Sequence, residues 1–160
     1  VFYNTPEKLE PLLWAVEQTW EITQREDYHP EIYVHLHLLQ CFYIAVKETR
    51  DIDIIVAALV HDVGKVGGSH GHEKRSVDML ECHCSEKTLW LIEQHIKIWS
   101  LLTGQMKKRS KVQNLMSHPW FLDLILLARI DKMGRNLGRT VYYDKEEIIN
   151  TILEAKIHNS

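Results

Sequence analysis

Ala57-Ala58-Leu59-Val60-His61-Asp62-Val63-Gly64-Lys65 is the stretch on which the reading of this chain turns. Ahead of it, Asp51 is suited to cap a helix, and Ile54, Ile55, Ala58 and Leu59 recur at helical spacing, which predicts an apolar helix carried to Gly64. The far end of that helix holds His61 and Asp62. A bare carboxylate at a buried helix end loses its hydration or is driven to take up a proton, unless a cation or strong hydrogen bonds compensate. A metal ion is the simplest compensation. Histidine is the commonest neutral metal ligand, and the chain carries ten in 160 residues.

Outward from this run, apolar residues repeat at three and four positions and seldom alternate in period two, so the sequence predicts an all-α helical bundle. Thr5-Pro6 caps an opening helix with a face of Leu9, Leu12, Leu13, Val16 and Trp20, read as a scaffold helix over 5–26. A second helix runs from Tyr33 to Glu48. Gly64, Gly67, Gly68 and Gly71 interrupt the pattern, and further helices are expected near 73–83, 86–101, 108–116 and 119–133. Asp144 with Glu147 makes a capping box for a last helix to about Ile157. Trp14, Trp20, Trp90, Trp99 and Trp120 stand at helical spacing and are expected in the core. With no repeat or linker, one domain over 1–160 is the economical reading. The chain opens on Val1 and not on methionine, which is compatible with a piece of a longer chain.

With 45% apolar residues the chain can close a core, which excludes a disordered tail. A net charge of −3 does not force binding to long nucleic acid through bulk charge. No apolar run reaches the roughly 18 residues of a membrane span, so no membrane partner is expected. Three cysteines, with Cys82 and Cys84 too close to bridge comfortably, point to a reducing, cytoplasmic setting. Cys82-His83-Cys84 lacks the second pair of a zinc site and reads as ordinary thiols at a helix end. Charge is uneven: from Lys97 to Arg139 the basic residues exceed Asp123 and Asp131 by seven, leaving −10 for the remainder. Beside Asp131, that segment is expected to form an anion-attracting wall.

The His61-Asp62 run resembles the signature of the HD superfamily, all-α metal-dependent phosphohydrolases named for that pair. Tyr28-His29-Pro30-Glu31 followed by His37 resembles the W-H-P-E-G-x-x-x-x-H-T stretch in HD domains of bacterial tRNA nucleotidyltransferases and of RNA end-healing phosphatases, with Tyr in place of Trp and Ile32 in place of Gly. That match selects His37 over His35, which lies about 200° away on a helix. Gly71-His72-Glu73 with Ser76 resembles the family's G-H-E-x-x-[GS], His95 its I-x-x-H, and Ile130 through Arg135 its closing A-D-x-x-G-R, with Ile in place of Ala.

The resemblance implies one divalent ion on His37, His61, Asp62 and Asp131. A second, on His72 and His95 with Asp62 bridging, would follow the binuclear members. Imidazole and carboxylate donors suit Mn²⁺, Ni²⁺, Co²⁺, Fe²⁺, Zn²⁺ or Mg²⁺, and no cysteine falls at a ligand position. Asp62 and Lys65 are the expected catalytic residues. Lys65, one helical turn past His61, is expected to meet a phosphate, with Arg75 and Arg135 as further substrate contacts. The implied substrate is a phosphorylated nucleotide or an RNA end. Two alternatives stand: a diiron oxygenase, since His37-Leu38-Leu39-Gln40-Cys41 resembles H-x-x-Q-C/T, and a non-catalytic RNA-binding module of a larger enzyme. His35, His70, His83, His118 and His158 are read as surface or packing residues, and His29 as close to the metal only if the Tyr-His-Pro-Glu match holds.

Overall fold

All of the helix Ile52–Val60 except Asp53 is buried, and the rest of the chain is arranged around it. The computed structural model describes residues 1–25, 27–29, 33–136 and 140–159. In chain order the helices are α1 (Pro6–Glu17), α2 (Val34–Glu48), α3 (Ile52–Val60), α4 (His72–Leu80), α5 (Glu86–Gln94), α6 (Lys97–Leu102), α7 (Arg109–Met116), α8 (Phe121–Met133) and α9 (Lys145–His158). Among the described residues the only extended pairing is one antiparallel bridge, Thr23 to Tyr33, and the fold is all-α. The Asp51 side chain accepts from the backbone N–H groups of Asp53 and Ile54, so the cap read from the sequence starts α3 where expected. α1, α2, α5, α8 and α9 all pack on α3, and their apolar faces merge into one core.

Four expectations differ in detail, each for a local reason. α1 stops at Glu17, short of the expected 5–26. Beyond it the Thr19 hydroxyl donates to the Val16 carbonyl at 2.6 Å, Glu21 takes φ 69°, and Ile22 turns out to accept the Val34 N–H at 3.0 Å. α3 ends at Val60 and not at Gly64: His61 closes the helix, Asp62 leaves helical geometry at φ −110°, ψ 12°, and Val63–Gly67 form a 3-10 turn. The single helix expected over 86–101 is two, broken at His95-Ile96, where the His95 N–H turns back to the Ile92 carbonyl at 3.3 Å. Finally, no tryptophan is fully buried. Trp14 and Trp20 are exposed, Trp90 stacks on His118 at 3.9 Å, and Trp99 lines a cavity. Their ring size satisfies helical spacing while leaving an edge to solvent. Glu26, Pro30, Glu31, Ile32 and Arg139 lie outside the described residues.

Gly64 fixes how the 3-10 turn meets α4. A Cβ there would collide with the His72 carbonyl and lie 2.7 Å from the Ser76 backbone nitrogen. The approach is sealed by the Gly64 N–H donating to the Ser76 hydroxyl at 2.8 Å, while that hydroxyl donates to the His72 carbonyl at 2.9 Å. This contact sets the first turn of α4 against the 3-10 turn that follows α3.

Candidate metal centre

Helix ends supply most of the site. His61 closes α3, His72 opens α4 and His95 closes α5, while His37 lies in the first turns of α2 and Asp131 near the end of α8. Ends are where backbone carbonyls and N–H groups lack helical partners, so a side chain there can be held by the main chain. His61 Nδ1 lies 3.0 Å from the Ala58 carbonyl, His72 Nδ1 2.7 Å from that of Ser69, and His95 Nδ1 2.5 Å from that of Ile92. His37 Nδ1 lies 3.1 Å from the carbonyl of Gly134. A carbonyl oxygen only accepts, so each Nδ1 carries a proton, and in the neutral ring each Nε2 presents a lone pair.

All four lone pairs point inward. His37 Nε2 lies 2.8 Å from Asp131 Oδ1, 3.3 Å from His61 Nε2 and 3.5 Å from Asp62 Oδ2. His61 Nε2 completes that group at 3.4 Å from Asp62 Oδ2 and 3.5 Å from Asp131 Oδ1. On the other oxygen of the same carboxylate, Asp62 Oδ1 lies 3.0 Å from His72 Nε2 and 3.2 Å from His95 Nε2, which are themselves 3.2 Å apart. The result is two donor groups sharing Asp62, one per oxygen. All six side chains are buried.

This arrangement fits divalent ions. Two imidazole lone pairs 3.3 Å apart, and another two 3.2 Å apart, repel unless positive charge stands among them. Asp131 Oδ1 is buried and accepts no well-aligned hydrogen bond among the described residues. Its partner oxygen Oδ2 is held instead, by Trp99 Nε1–H at 3.4 Å and Arg135 at 3.3 Å, which turns Oδ1 toward the imidazoles. Without an ion the charges compensate one another. Burial favours the neutral form of His61, but Asp62 and Asp131 outweigh it and raise its pKa to about 8. Burial likewise opposes ionisation of Asp62, yet His61, Lys65 and the His72 and His95 rings facing its Oδ1 hold its carboxyl well below the usual range. Asp131 is held low in the same way, chiefly by His37 and His61 against its burial.

Lys65 and Arg135 stand where the centre opens. The Lys65 ammonium lies 3.3 Å from Asp62 Oδ2 and donates to Gln24 Oε1 at 2.7 Å. A cavity of about 240 Å³ opens onto Asp62, His72, His95 and Asp131 and is walled by Lys65, Arg135, Arg25 and Trp99. His29 is buried at the same wall, with its ring 4.9 Å from that of His37. His35 instead stacks on Trp20 at 4.1 Å. Arg75 does not reach this cavity. Its guanidinium donates to the carbonyls of Gly64 at 2.6 Å, Gly68 at 3.0 Å and His70 at 3.2 Å, so it clamps the glycine loop.

The basic segment is also placed differently from the expectation. Arg135 alone of its described basic residues walls this cavity, and Lys97, Lys107, Lys108 and Lys111 line a separate one. Sequence reasoning missed Trp99, Gln24 and Cys41. Trp99 reads as core by spacing, and Gln24 lies in a segment without a motif. Cys41, set aside as a ligand, has its sulfur 3.6 Å from His37 Nε2 and belongs to a donor group with His37, His61 and Asp131. One helical turn after His37, its position was visible in the sequence, but a thiol that donates to the Ile130 carbonyl at 3.8 Å carries no such mark.

The HD domain family matches residues 34–132. HD domains bind divalent metals and make up a superfamily of metal-dependent hydrolases, and the two donor groups lie within the matched residues. The chain is 39% identical over 164 residues to the Multifunctional CCA protein of Cupriavidus pinatubonensis, covering 90% of this chain and 40% of that protein. It is 39% identical over 80 residues to the Multifunctional CCA protein of Burkholderia multivorans, covering 46% of this chain and 19% of that protein. The chain thus spans well under half the length of these curated relatives. Among the described residues no helix is long and apolar enough to cross a membrane. With its all-α fold, its His61-Asp62 pair at the heart of two donor groups and a match across most of the chain, this protein belongs to the HD domain family.

Proposed function

We propose that this chain is a metal-dependent phosphohydrolase acting on a phosphomonoester or a 2′,3′-cyclic phosphodiester of a nucleotide or RNA end. The observation that carries the reading is the sharing of Asp62 between two donor groups beneath a small cavity rimmed by cations. His37, His61, Asp62 and Asp131 would hold one ion, and His72, His95 and Asp62 a second. When bound, such ions supply Lewis-acid polarisation of a phosphoryl oxygen and lower the pKa of a water.

The chain's own residues do the rest. Lys65, anchored by Gln24, offers a point charge to a phosphate oxygen at the rim. Arg135 braces Asp131 through one nitrogen, and its buried Nε has no hydrogen-bond partner among the described residues, leaving a donor for an anion. Trp99 lies 5.6 Å beneath the Arg135 guanidinium and screens that edge from water. At about 240 Å³ the cavity is below the size usual for whole drug-sized ligands, which suits a terminal phosphate and its sugar better than a mid-chain segment. Gln40, part of the oxygenase-like segment, donates to the Asn136 carbonyl at 2.8 Å and accepts from its N–H at 3.2 Å, so its amide serves the backbone.

The test is reconstitution of chelator-stripped protein with Mn²⁺, Ni²⁺, Co²⁺ or Mg²⁺ under anaerobic conditions, followed by phosphate release from 2′,3′-cyclic nucleotides and nucleoside monophosphates. Turnover without O₂ that disappears in Asp62→Ala is expected. Activity that requires iron and consumes O₂, or that survives Asp62→Ala, would overturn the proposal.

A further inference from the structure

Between Glu93 and Asp123 the sequence contains no acidic residue, while it contains Lys97, Lys107, Lys108, Arg109 and Lys111. In a chain with a net charge of −3 this is a strong local asymmetry. The fold gathers it into a cavity of about 610 Å³ between the end of α5, α6, the following loop and α7. Four of its lining residues are Lys97, Lys107, Lys108 and Lys111, and no carboxylate lines it. These lysines are exposed and make no ion pair among the described residues. Of the two acids that bound the stretch, Asp123 is engaged elsewhere, 2.9 Å from Lys87, and neither it nor Glu93 lines the cavity.

The remainder of the lining is not that of a simple phosphate site. Trp90 stacks on His118 at 3.9 Å, Leu115 and Met106 give apolar surface, and Gln94, Gln105 and Asn114 offer amides. Four ammonium groups exceed what one phosphate neutralises. Aromatic surface for a base, amides for its edge and spaced cations for a phosphate chain together describe single-stranded nucleic acid.

Position joins this cavity to the metal centre. Gln94, Lys97 and Ser100 line it, whereas the interleaved His95, Ile96 and Trp99 line the metal cavity. One short helical stretch therefore has a cavity on each face, separated by about the 10–12 Å diameter of a helix.

We propose that the lysine-lined cavity binds the strand of a single-stranded nucleic acid whose terminal phosphate sits at the metal centre, making a polynucleotide end and not a free mononucleotide the preferred substrate. The coupling to a terminal phosphate rests on the phosphohydrolase reading. Strand binding itself does not, and the experiment separates the two.

Binding of a short fluorescent oligoribonucleotide to the full chain is followed by anisotropy in chelator, where no turnover occurs, across a salt series. The combined variant Lys97→Gln, Lys108→Gln, Lys111→Gln is compared with a charge-matched control, Lys47→Gln, Lys74→Gln, Lys156→Gln. Binding in the pocket variant is expected to weaken roughly tenfold or more, with the slope of log K against log salt falling by about 2, the loss for three phosphate contacts on a single strand. The control should keep the parent's affinity. Equal weakening in both variants would mean bulk charge, and no weakening in the pocket variant, or binding of an acidic peptide in place of RNA, would equally overturn the site. If strand binding behaves as expected but no phosphoester is hydrolysed with metal, it is the phosphohydrolase reading that fails. If mononucleotides are hydrolysed but the pocket variant binds RNA like the parent, the strand site fails alone.

Discussion

Stripping the metal and raising the pH should expose the charge balance at the centre. In the ion-free protein the proton on His61 offsets two buried carboxylates, and the pKa of this group rises from 6.5 to about 8 on folding. A folded-state pKa above the unfolded one gives stability that is complete below about pH 6.5 and is lost as pH rises through about 8. A rise of about 1.5 units corresponds to about 2 kcal/mol at 1.36 kcal/mol per unit. Asp62 and Asp131, held far below this range, stay ionised throughout and add no slope. Denaturant titrations in chelator should therefore show about 2 kcal/mol less stability at pH 9 than at pH 6.

The same proton competes with the ion. At pH 7 a group of pKa about 8 is about 90% protonated, and at pH 8.5 about a quarter, so Mn²⁺ should bind the His37–His61 group roughly eightfold more tightly at pH 8.5. Calorimetry at pH 7 in buffers of different ionisation enthalpy should show His61 releasing close to one proton per ion. The reasoning fails if ion-free stability is flat or rises between pH 6 and 9, or if Mn²⁺ affinity is the same at both pH values.

Three further outcomes follow from the geometry. His72→Ala or His95→Ala should reduce bound metal from about two ions to about one per chain by elemental analysis, because the His37–His61–Asp131 group keeps its own donors. Gly64→Ala should cost about 1–3 kcal/mol in thermal or denaturant unfolding and lower occupancy of the His72 position, since a Cβ there pushes on the His72 carbonyl and the Ser76 backbone. Lys65→Met should retain the metal and slow phosphoester turnover roughly 10²-fold, and parental kinetics in that variant would leave Lys65 as a partner of Asp62 and Gln24 only.

The fold was legible where side chains alone set the outcome. Thr5, Asp51 and Asp144 cap helices with their own oxygens, and the apolar period placed α2, α3, α8 and α9 to within a few residues. Boundaries set by tertiary contact were not: the end of α3 depends on Gly64 nesting against Ser76, a residue 12 positions away. At the centre, the six side chains that the resemblance picked out lie together, and each was findable because it sits in a short segment that matches the family's pattern. Trp99 and Gln24 reach the site through hydrogen bonds to partners 32 and 41 residues distant, and no local spacing encodes such a bond. Arg75 illustrates the converse, since a cation near a glycine loop reads as a phosphate contact until three carbonyls are seen to hold it.

The backbone anchors of the four imidazoles are unequal in reach. His61, His72 and His95 each donate to the carbonyl three residues earlier, so those rings are aimed within their own segments. His37 is aimed by Gly134, 97 residues away, just beyond the end of α8. Fraying of that helix end would remove this anchor of His37 while leaving the carbonyl anchors of the other three rings in place, and it would loosen Asp131 on the same stretch. The two donor groups therefore differ in how they come apart: the one built on His72 and His95 is held within its local turns, and the one built on His37 and Asp131 also draws on the docking of the C-terminal end of α8 against α2.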